Sequence, residues 1–237
     1  MIHSFEFTFN NLEKYYKIAL DTGYKIITCE DYALNNKREC PTIVNRVDVD
    51  LSVKKTERLI DLFNKLGIKA SFFIRLHANE YNPFSFENYR ILKRIVNEGH
   101  EIGYHSEIID QSVIWDEDPG ECLIKDIKIL ETMFNTTIKG VASHGGLTGL
   151  NNLDFWNNHK PNDYELLYEA YDDKYLKLFK NSFYISDSEW TQWKCYDKGV
   201  LISGDNRSFG EHVLQSDHKL IYLLIHPDTY FDRHIYE

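Results

Sequence analysis

The sequence has 237 residues, a formal net charge of -10 at pH 7 and four cysteines without CxxC spacing. This length allows a substantial hydrophobic core, and we expect one domain over residues 1–237. The acidic balance argues against nucleic acid or an anionic membrane surface as a partner, and the spread of the cysteines argues against a disulfide framework. No apolar run approaches the roughly 18 residues of a transmembrane segment and no secretion-signal pattern stands out, so we expect a cytoplasmic protein.

The predicted elements alternate between helix and strand along most of the chain. Hydrophobic spacing predicts a helix over LEKYYKIALDTG and strands over YKIITCEDY and TIVNRVDVD. Next come a helix over VKKTERLIDLFNKLG, a strand over KASFFIRL and a helix over SFENYRILKRIVNEG with Ser85 as its N-cap. A strand over HEIGYHS, a helix over PGECLIKDIKILETMF and a strand over IKGVASHGG follow, and later strands are predicted at SFYISDS, GVLISG and KLIYLLIHP. This alternation predicts parallel βαβ units, and about seven strands favour an α/β fold with a closed or distorted (β/α) barrel over an open sheet.

Ionisable residues recur at the C-terminal ends of these predicted strands, which is the edge where parallel α/β folds place their ligand sites. Asp48 and Asp50 point to the same face because they are two apart in a strand. Two carboxylates this close oppose joint ionisation unless a cation or a proton intervenes. The alternative is a capping role, in which Asp50 or Ser52 begins the following helix. The full set of strand-end residues is Asp48, Asp50, His105, His144, Asp187 and His226.

Three of the histidines, together with the acid pair, predict a metal site. His105, His144 and His226 each follow an apolar strand, and imidazole and carboxylate ligands suit zinc and similar divalent ions. A lone histidine in an apolar context is more often structural, and we expect this of His100, which begins its strand. His77 follows a strand and stays open as an outside ligand. The remaining histidines are predicted to be surface residues or local hydrogen bonders: His3, His159, His212, His218 and His234.

The motifs RVDVD, LGIKASFFIRL, VNEGHEIGYHSE and LLIHP resemble, in this order, those of the polysaccharide deacetylases, carbohydrate esterase family four. The resemblance begins at LDTGYKIITCEDY and covers most of the chain. The segments SHGG, NNLDFW and FYISDSEWTQW resemble a branch associated with bacterial surface-polysaccharide genes. The family implies a distorted (β/α) barrel and a divalent metal, usually zinc, held by one Asp and two His. It also implies hydrolysis of an N- or O-acyl group, typically acetyl, from a sugar.

The resemblance also implies roles for individual residues. Asp48 corresponds to the general base and Asp50 to a metal ligand, with the reverse assignment open because Val49 separates two acids that are adjacent in the family. His105 corresponds to the first metal histidine. His226 corresponds to the histidine that acts as the general acid.

Two departures from the family pattern leave the third ligand open. The second metal histidine, four residues after His105, is Ile109 here. His144 is our first choice as its replacement, with Glu107 or Asp110 as alternatives. The arginine-proline motif of the family is absent, and VASHGG stands in its place. The branch pattern suggests that Asp187 orients a histidine, and the predicted substrate-binding residues are Asp187, Trp190 and Glu107.

Three functions are compatible with these residues. The first is a metal-dependent carbohydrate deacetylase that acts on a nucleotide-linked or lipid-linked sugar in surface-polysaccharide metabolism. The second is a deformylase or another hydrolase of linear amides on the same scaffold. The third is a catalytically silent carbohydrate-binding or assembly protein, and the sugar, the acyl group and the oligomeric state stay open. Sugar rings pack on aromatic faces, and core packing is the alternative role for the four candidates Trp115, Trp156, Trp190 and Trp193.

Overall fold

The computed structural model describes residues 5–35, 37, 39–215 and 217–236, so that His3 lies outside the described residues. Helices and strands alternate through most of this part of the chain. The helices are α1 (Phe9–Asp21), α2 (Cys29–Leu34), α3 (Val53–Leu66), α4 (Phe86–Asn97), α5 (Ile108–Trp115), α6 (Pro119–Phe134), α7 (Leu178–Asn181) and α8 (Phe209–Gln215). The strands are β1 (Lys25–Ile27), β2 (Thr42–Val49), β3 (Ser71–Ile74), β4 (Glu101–Ser106), β5 (Gly140–Ser143), β6 (Tyr168–Glu169), β7 (Phe183–Ser186), β8 (Lys194–Asp197), β9 (Val200–Leu201) and β10 (Leu220–Ile225). Short 3-10 helices cover Asn152–Asn157, Pro161–Tyr164 and Pro227–Thr229.

One sheet contains all of these strands, in the order β6-β5-β4-β3-β2-β10-β7-β8-β9, with β1 paired to β2 as well. The strands from β6 to β7 in this order are parallel, and β8 and β9 continue the sheet in antiparallel pairs. Parallel pairing places the C-terminal ends of β2, β4, β5, β7 and β10 at one edge. That edge carries the predicted site.

The sheet curls, so that the β6 end approaches β7 and β10. The hydroxyl of Tyr222 in β10 donates to the carbonyl of Ala170, just after β6, at 3.2 Å. The hydroxyls of Tyr171 and Tyr184 lie 3.0 Å apart. Tyrosine hydroxyls bridge this seam, since no backbone ladder joins β6 to β7 in the described residues. The predicted α/β fold with about seven parallel strands in a distorted barrel is confirmed, and the barrel is open along the β6–β7 seam.

Helix α3 shows how the helices are set against the outer face of the sheet. Leu59, Ile60 and Phe63 are buried along one face of α3, as the 3.6-residue period requires. The side chain of Ser52 accepts a hydrogen bond from the backbone N–H of Lys55 at 3.3 Å. Ser52 therefore caps α3, and Asp50 is left free for another role.

Several elements differ from the predicted ones. The strand predicted over YKIITCEDY ends at Ile27, because Thr28 and Asp31 form a capping box that starts α2. The strand predicted over GVLISG is reduced to Val200–Leu201 at the sheet edge. Helices α5 and α8 and strands β6 and β8 were not anticipated from the sequence. None of the described helices is both long enough and apolar enough to cross a bilayer.

His100 precedes β4 and has the structural role expected of it. Its buried ring lies beside Phe63 and Phe72, and its Nδ1 accepts the backbone N–H of Ala70 at 3.3 Å. Burial, followed by the positive charge of Lys69, lowers the pKa of His100 to about 4. The unfolded chain, with an ordinary histidine pKa, therefore takes up this proton first as the pH falls.

We expect His100 to reduce the free energy of unfolding by up to about 3 kcal/mol as the pH falls from about 6.5 to about 4. Urea unfolding of the wild type and of His100→Asn across this range checks the expectation, since the amide oxygen of Asn can still accept the bond from Ala70. The free energy of unfolding should fall less steeply with decreasing pH in His100→Asn than in the wild type. An equal fall in both proteins would contradict the lowered pKa of His100.

Candidate metal centre and active site

The strand-end residues predicted from the sequence meet at one edge of the barrel. Asp48 and Asp50 stand at the end of β2, and His105 is the second-to-last residue of β4. His144 directly follows β5, Asp187 follows β7 and His226 follows β10. Because β5 pairs with β4 in register, with His105 opposite Ala142, His144 lies beside His105, and their ring centroids are 5.0 Å apart.

Asp50, His105 and His144 place one ligand atom each within 4.8 Å of one another. The Nδ1 of His105 lies 2.7 Å from the carbonyl oxygen of Ala142, so a neutral ring carries its proton on Nδ1 and donates it to that carbonyl. Its Nε2 is then an acceptor, and it lies 3.2 Å from Oδ1 of Asp50. Two acceptors that face each other at this distance require a proton or a cation between them.

The ligand atoms of Asp50, His105 and His144 fit a divalent cation. Oδ1 of Asp50 is buried without a hydrogen-bond partner among the described residues. Such atoms cost free energy unless something binds them. One carboxylate with two imidazoles is a ligand set that catalytic zinc sites use, and the Nδ1 bond of His105 is the outer-shell contact that orients metal-binding histidines.

A second group of potential ligands, Cys195, Asp205 and His212, does not fit a metal in the same way. Both oxygens of Asp205 accept hydrogen bonds from Arg207, at 2.8 and 2.6 Å. Burial raises the pKa of the Cys195 thiol to about 12, so the thiol is neutral. His212 is buried rather than at the surface, and its Nε2 lies 3.4 Å from the thiol sulfur. These contacts satisfy the group without an ion.

Asp48 is held by an arginine that the sequence analysis missed. Arg46 is fully buried and donates to both oxygens of Asp48, from Nε at 2.8 Å and from Nη2 at 2.6 Å. The guanidinium also donates to the Tyr222 hydroxyl at 3.1 Å and lies 4.4 Å from the Tyr171 ring centroid. Burial alone would raise the pKa of Asp48, but the charge of the Arg46 guanidinium lowers it below its ordinary value. The carboxylate therefore stays ionised.

His226 is oriented by Asp187. The Nδ1 of His226 lies 2.6 Å from Oδ1 of Asp187, and its backbone N–H donates to Oδ2 at 2.9 Å. Burial lowers the pKa of His226, but the carboxylates of Asp187, Asp50 and Asp48 together raise it by more, to about 9. The ring is therefore cationic at neutral pH, and its Nε2 lies 3.8 Å from Oδ2 of Asp50.

Two of the three predicted substrate-binding residues are buried behind the site. Both oxygens of Asp187 bind His226, and Asp187 is fully buried, so its contact is with the histidine instead of a substrate. Glu107 is also buried and accepts a hydrogen bond from Arg75 at 2.7 Å, with Oε1 3.6 Å from Nδ1 of His144. Trp190, in contrast, is 39% exposed.

The remaining candidates lie outside the metal group. His77, left open as an outside ligand, has its Nε2 3.0 Å from Asp126 and its ring against Trp115. Among the tryptophans, Trp156 and Trp193 are buried, which matches the core-packing alternative, while Trp115 and Trp190 are exposed. Asp110, an alternative third ligand, has both carboxylate oxygens occupied by hydrogen bonds.

Comparisons with known proteins place the chain in a family. The family model described as polysaccharide deacetylase matches residues 35–167, more than half of the chain. A search of curated proteins found no match. Among solved structures, the chain is similar to a Bacillus anthracis CE4 family pseudoenzyme and to its mutant with restored enzymatic activity.

For the mutant, the TM-score is 0.49 at 14% identity, over 81% of this chain and 58% of that one. For the wild-type pseudoenzyme the TM-score is 0.48 at 15% identity, over 81% of this chain and 56% of that one. The chain is also similar to the catalytic domain of a peptidoglycan N-acetylglucosamine deacetylase from Eubacterium rectale, with a TM-score of 0.46 at 16% identity, over 78% of this chain and 76% of that one. From the family match over residues 35–167, the chain belongs to the polysaccharide deacetylase family.

Proposed function

We propose that this protein is a metal-dependent carbohydrate deacetylase, which removes an acetyl group from a sugar or an amino sugar. Family membership supports carbohydrate deacetylation. The observation that supports the metal dependence is the convergence of Asp50, His105 and His144, whose ligand atoms lie within 4.8 Å of one another. Beside them stand an ionised carboxylate, Asp48, and a cationic imidazole, His226, which are the two groups that acid–base hydrolysis needs.

The proposed mechanism assigns one task to each residue. Asp50, His105 and His144 would hold the cation, which when bound acts as a Lewis acid on the acyl carbonyl and makes water more acidic. Asp48 takes the proton of the water that attacks the acyl carbon. His226 gives its proton to the sugar nitrogen or oxygen as the bond to the acyl carbon breaks, so that the sugar and the free acid leave.

Two side chains support these tasks from behind. Asp187 keeps the His226 ring oriented with Nε2 toward the site, because it binds both Nδ1 and the backbone N–H of that residue. Arg46 keeps Asp48 ionised and fixes its direction through two hydrogen bonds. We propose Trp190, as the exposed member of the predicted substrate-binding set, as a wall for a sugar ring.

The finer part of the proposal concerns the substrate. We keep the surface-polysaccharide branch, on its motifs SHGG and FYISDSEWTQW, as a proposed context. The proposed cytoplasmic location would favour a nucleotide-linked or lipid-linked precursor sugar over a finished wall polymer. Turnover of acetylated against formylated amino sugars separates a deacetylase from a deformylase.

One observation favours the silent carbohydrate-binding alternative. Ile109 occupies the position of the second metal histidine in the family pattern. The pair of histidines four residues apart that this pattern requires is therefore incomplete here. The silent protein and the proposed deacetylase differ in whether His144 completes a metal site, which zinc binding measures.

Zinc content measured on purified, zinc-reconstituted wild type and His144→Ala tests the proposed site. We expect nearly one zinc per wild-type chain and an affinity at least about 100-fold lower in the variant, since even outer-shell losses cost 10- to 100-fold. His77→Ala is the matched control and should bind zinc as the wild type does. Full zinc affinity in His144→Ala would move the third ligand elsewhere, and no zinc in the wild type would favour the silent protein.

A further inference from the structure

We propose that Asp110 and Asn152 are positioning residues that hold His144 where it can act as the third ligand. This inference rests on the proposed function, because it concerns the same site. Within the described residues, these two side chains join the start of α5 to the loop that follows β5. They therefore connect the segment after His105, where the family pattern expects its second histidine, to the histidine that replaces it.

Asp110 binds the loop just beyond His144. Its carboxylate accepts the backbone N–H of Leu147 at 2.9 and 3.0 Å and that of Thr148 at 2.8 Å. The Thr148 hydroxyl donates to it as well, at 2.8 Å. Asp110 is buried in the first turn of α5, a rigid element, so the loop is tied to a fixed point.

Asn152 connects this acid to His144 itself. Its Nδ2 donates to Oδ2 of Asp110 at 2.7 Å and to the backbone carbonyl of His144 at 3.1 Å. Its Oδ1 accepts the backbone N–H groups of Ile109 and Asp110, at 2.9 and 3.1 Å. An amide side chain has two donor and two acceptor positions, and all four are used here, so Asn152 has one orientation.

The backbone of His144 is thereby fixed on both sides. Its N–H donates to the carbonyl of Ser106 in β4, next to His105, at 2.9 Å, and its carbonyl accepts from Asn152. Gly146 allows the loop to turn back sharply, because a Cβ there would lie 1.6 Å from the carbonyl oxygen of Leu150. A ligand must be held within about 0.5 Å to bind a metal well, and these contacts supply that restraint.

The first experiment compares buried acids with and without a link to His144. Zinc dissociation constants are measured by competition with a chelator on the full chain carrying Asp110→Asn or Asn152→Ala. The control is Asp126→Asn, a buried acid that accepts hydrogen bonds from Gln111 and Tyr104 instead. We expect zinc binding about 10- to 100-fold weaker in the first two variants. Asp126→Asn should lower the melting temperature and leave zinc binding unchanged.

The second experiment uses two adjacent glycines in the exposed loop, where substitution spares the core. Gly146→Ala has to move the loop away from Leu150, whereas a Cβ at Gly145 meets nothing within 4 Å. Gly146→Ala should weaken zinc binding while Gly145→Ala does not. Wild-type zinc affinity in Gly146→Ala and in folded Asn152→Ala would overturn the inference if His144→Ala still loses zinc. Zinc retained by His144→Ala would instead overturn the ligand set of the proposed function.

Discussion

Asp48→Asn is expected to reduce kcat for sugar deacetylation by about 10²- to 10⁴-fold, the contribution of a positioned general base, while zinc stays bound. The amide cannot accept the proton of the attacking water. Asp50→Asn should instead lose zinc, because Asp50, not Asp48, belongs to the group of converging ligand atoms. Kinetic assays and zinc analysis of both variants, with Asp126→Asn as the control, measure this difference.

The same two variants also test which acid is the general base and which is the metal ligand, an assignment that the motif leaves open. Zinc lost from Asp48→Asn and retained by Asp50→Asn would reverse their roles. Full turnover in both variants would argue against metal-assisted hydrolysis at this edge of the barrel. The bidentate contact of Arg46 with Asp48 is the physical reason for expecting the first assignment, since it gives both oxygens of Asp48 a hydrogen-bond partner already.

The second large effect concerns the stability of the buried Arg46–Asp48 pair. Arg46→Met or Asp48→Asn alone should lower the free energy of unfolding by about 3–5 kcal/mol, because each leaves its partner charged and buried without its counterion. The double variant should recover much of that loss, since it buries neither charge. Urea unfolding of the metal-free wild type, both single variants and the double variant completes a double-mutant cycle.

The double variant also separates a loss of catalysis in Asp48→Asn from a loss of folding. If the double variant is stable yet as inactive as Asp48→Asn, the lost turnover comes from the missing carboxylate and not from unfolding. Additive losses of stability in the double variant would show that the two charges do not stabilise each other. Restored turnover in the double variant would exclude Asp48 as the base.

The strand-end rule predicted much of this site from the sequence, because parallel pairing brings strand ends together whatever the other side chains are. It placed Asp50, His105 and His144 among six residues at one edge, and the ligand atoms of these three lie within 4.8 Å of one another. The same rule of two-residue spacing could have found Arg46, which precedes Asp48 on the same face. An arginine in a buried strand indicates a role only once its partners are known.

Other features depend on how deeply each side chain is buried, which the sequence does not reveal. Asp187 stands at a strand end like the ligands, but it lies one layer deeper, behind His226. Helix α5 exposes Val113, Ile114 and Trp115, so it lacks the polar outer face by which a helix is recognised from sequence.

The pairing of β4 with β5 has a further consequence for how the protein matures. It sets Ala142 opposite His105, which selects the tautomer of one ligand, and it delivers His144 two residues later. A shift of β5 by one residue would turn its side chains to the opposite face and remove both contributions together. The proposed metal site would therefore be complete only in chains whose β5 is paired in the correct register.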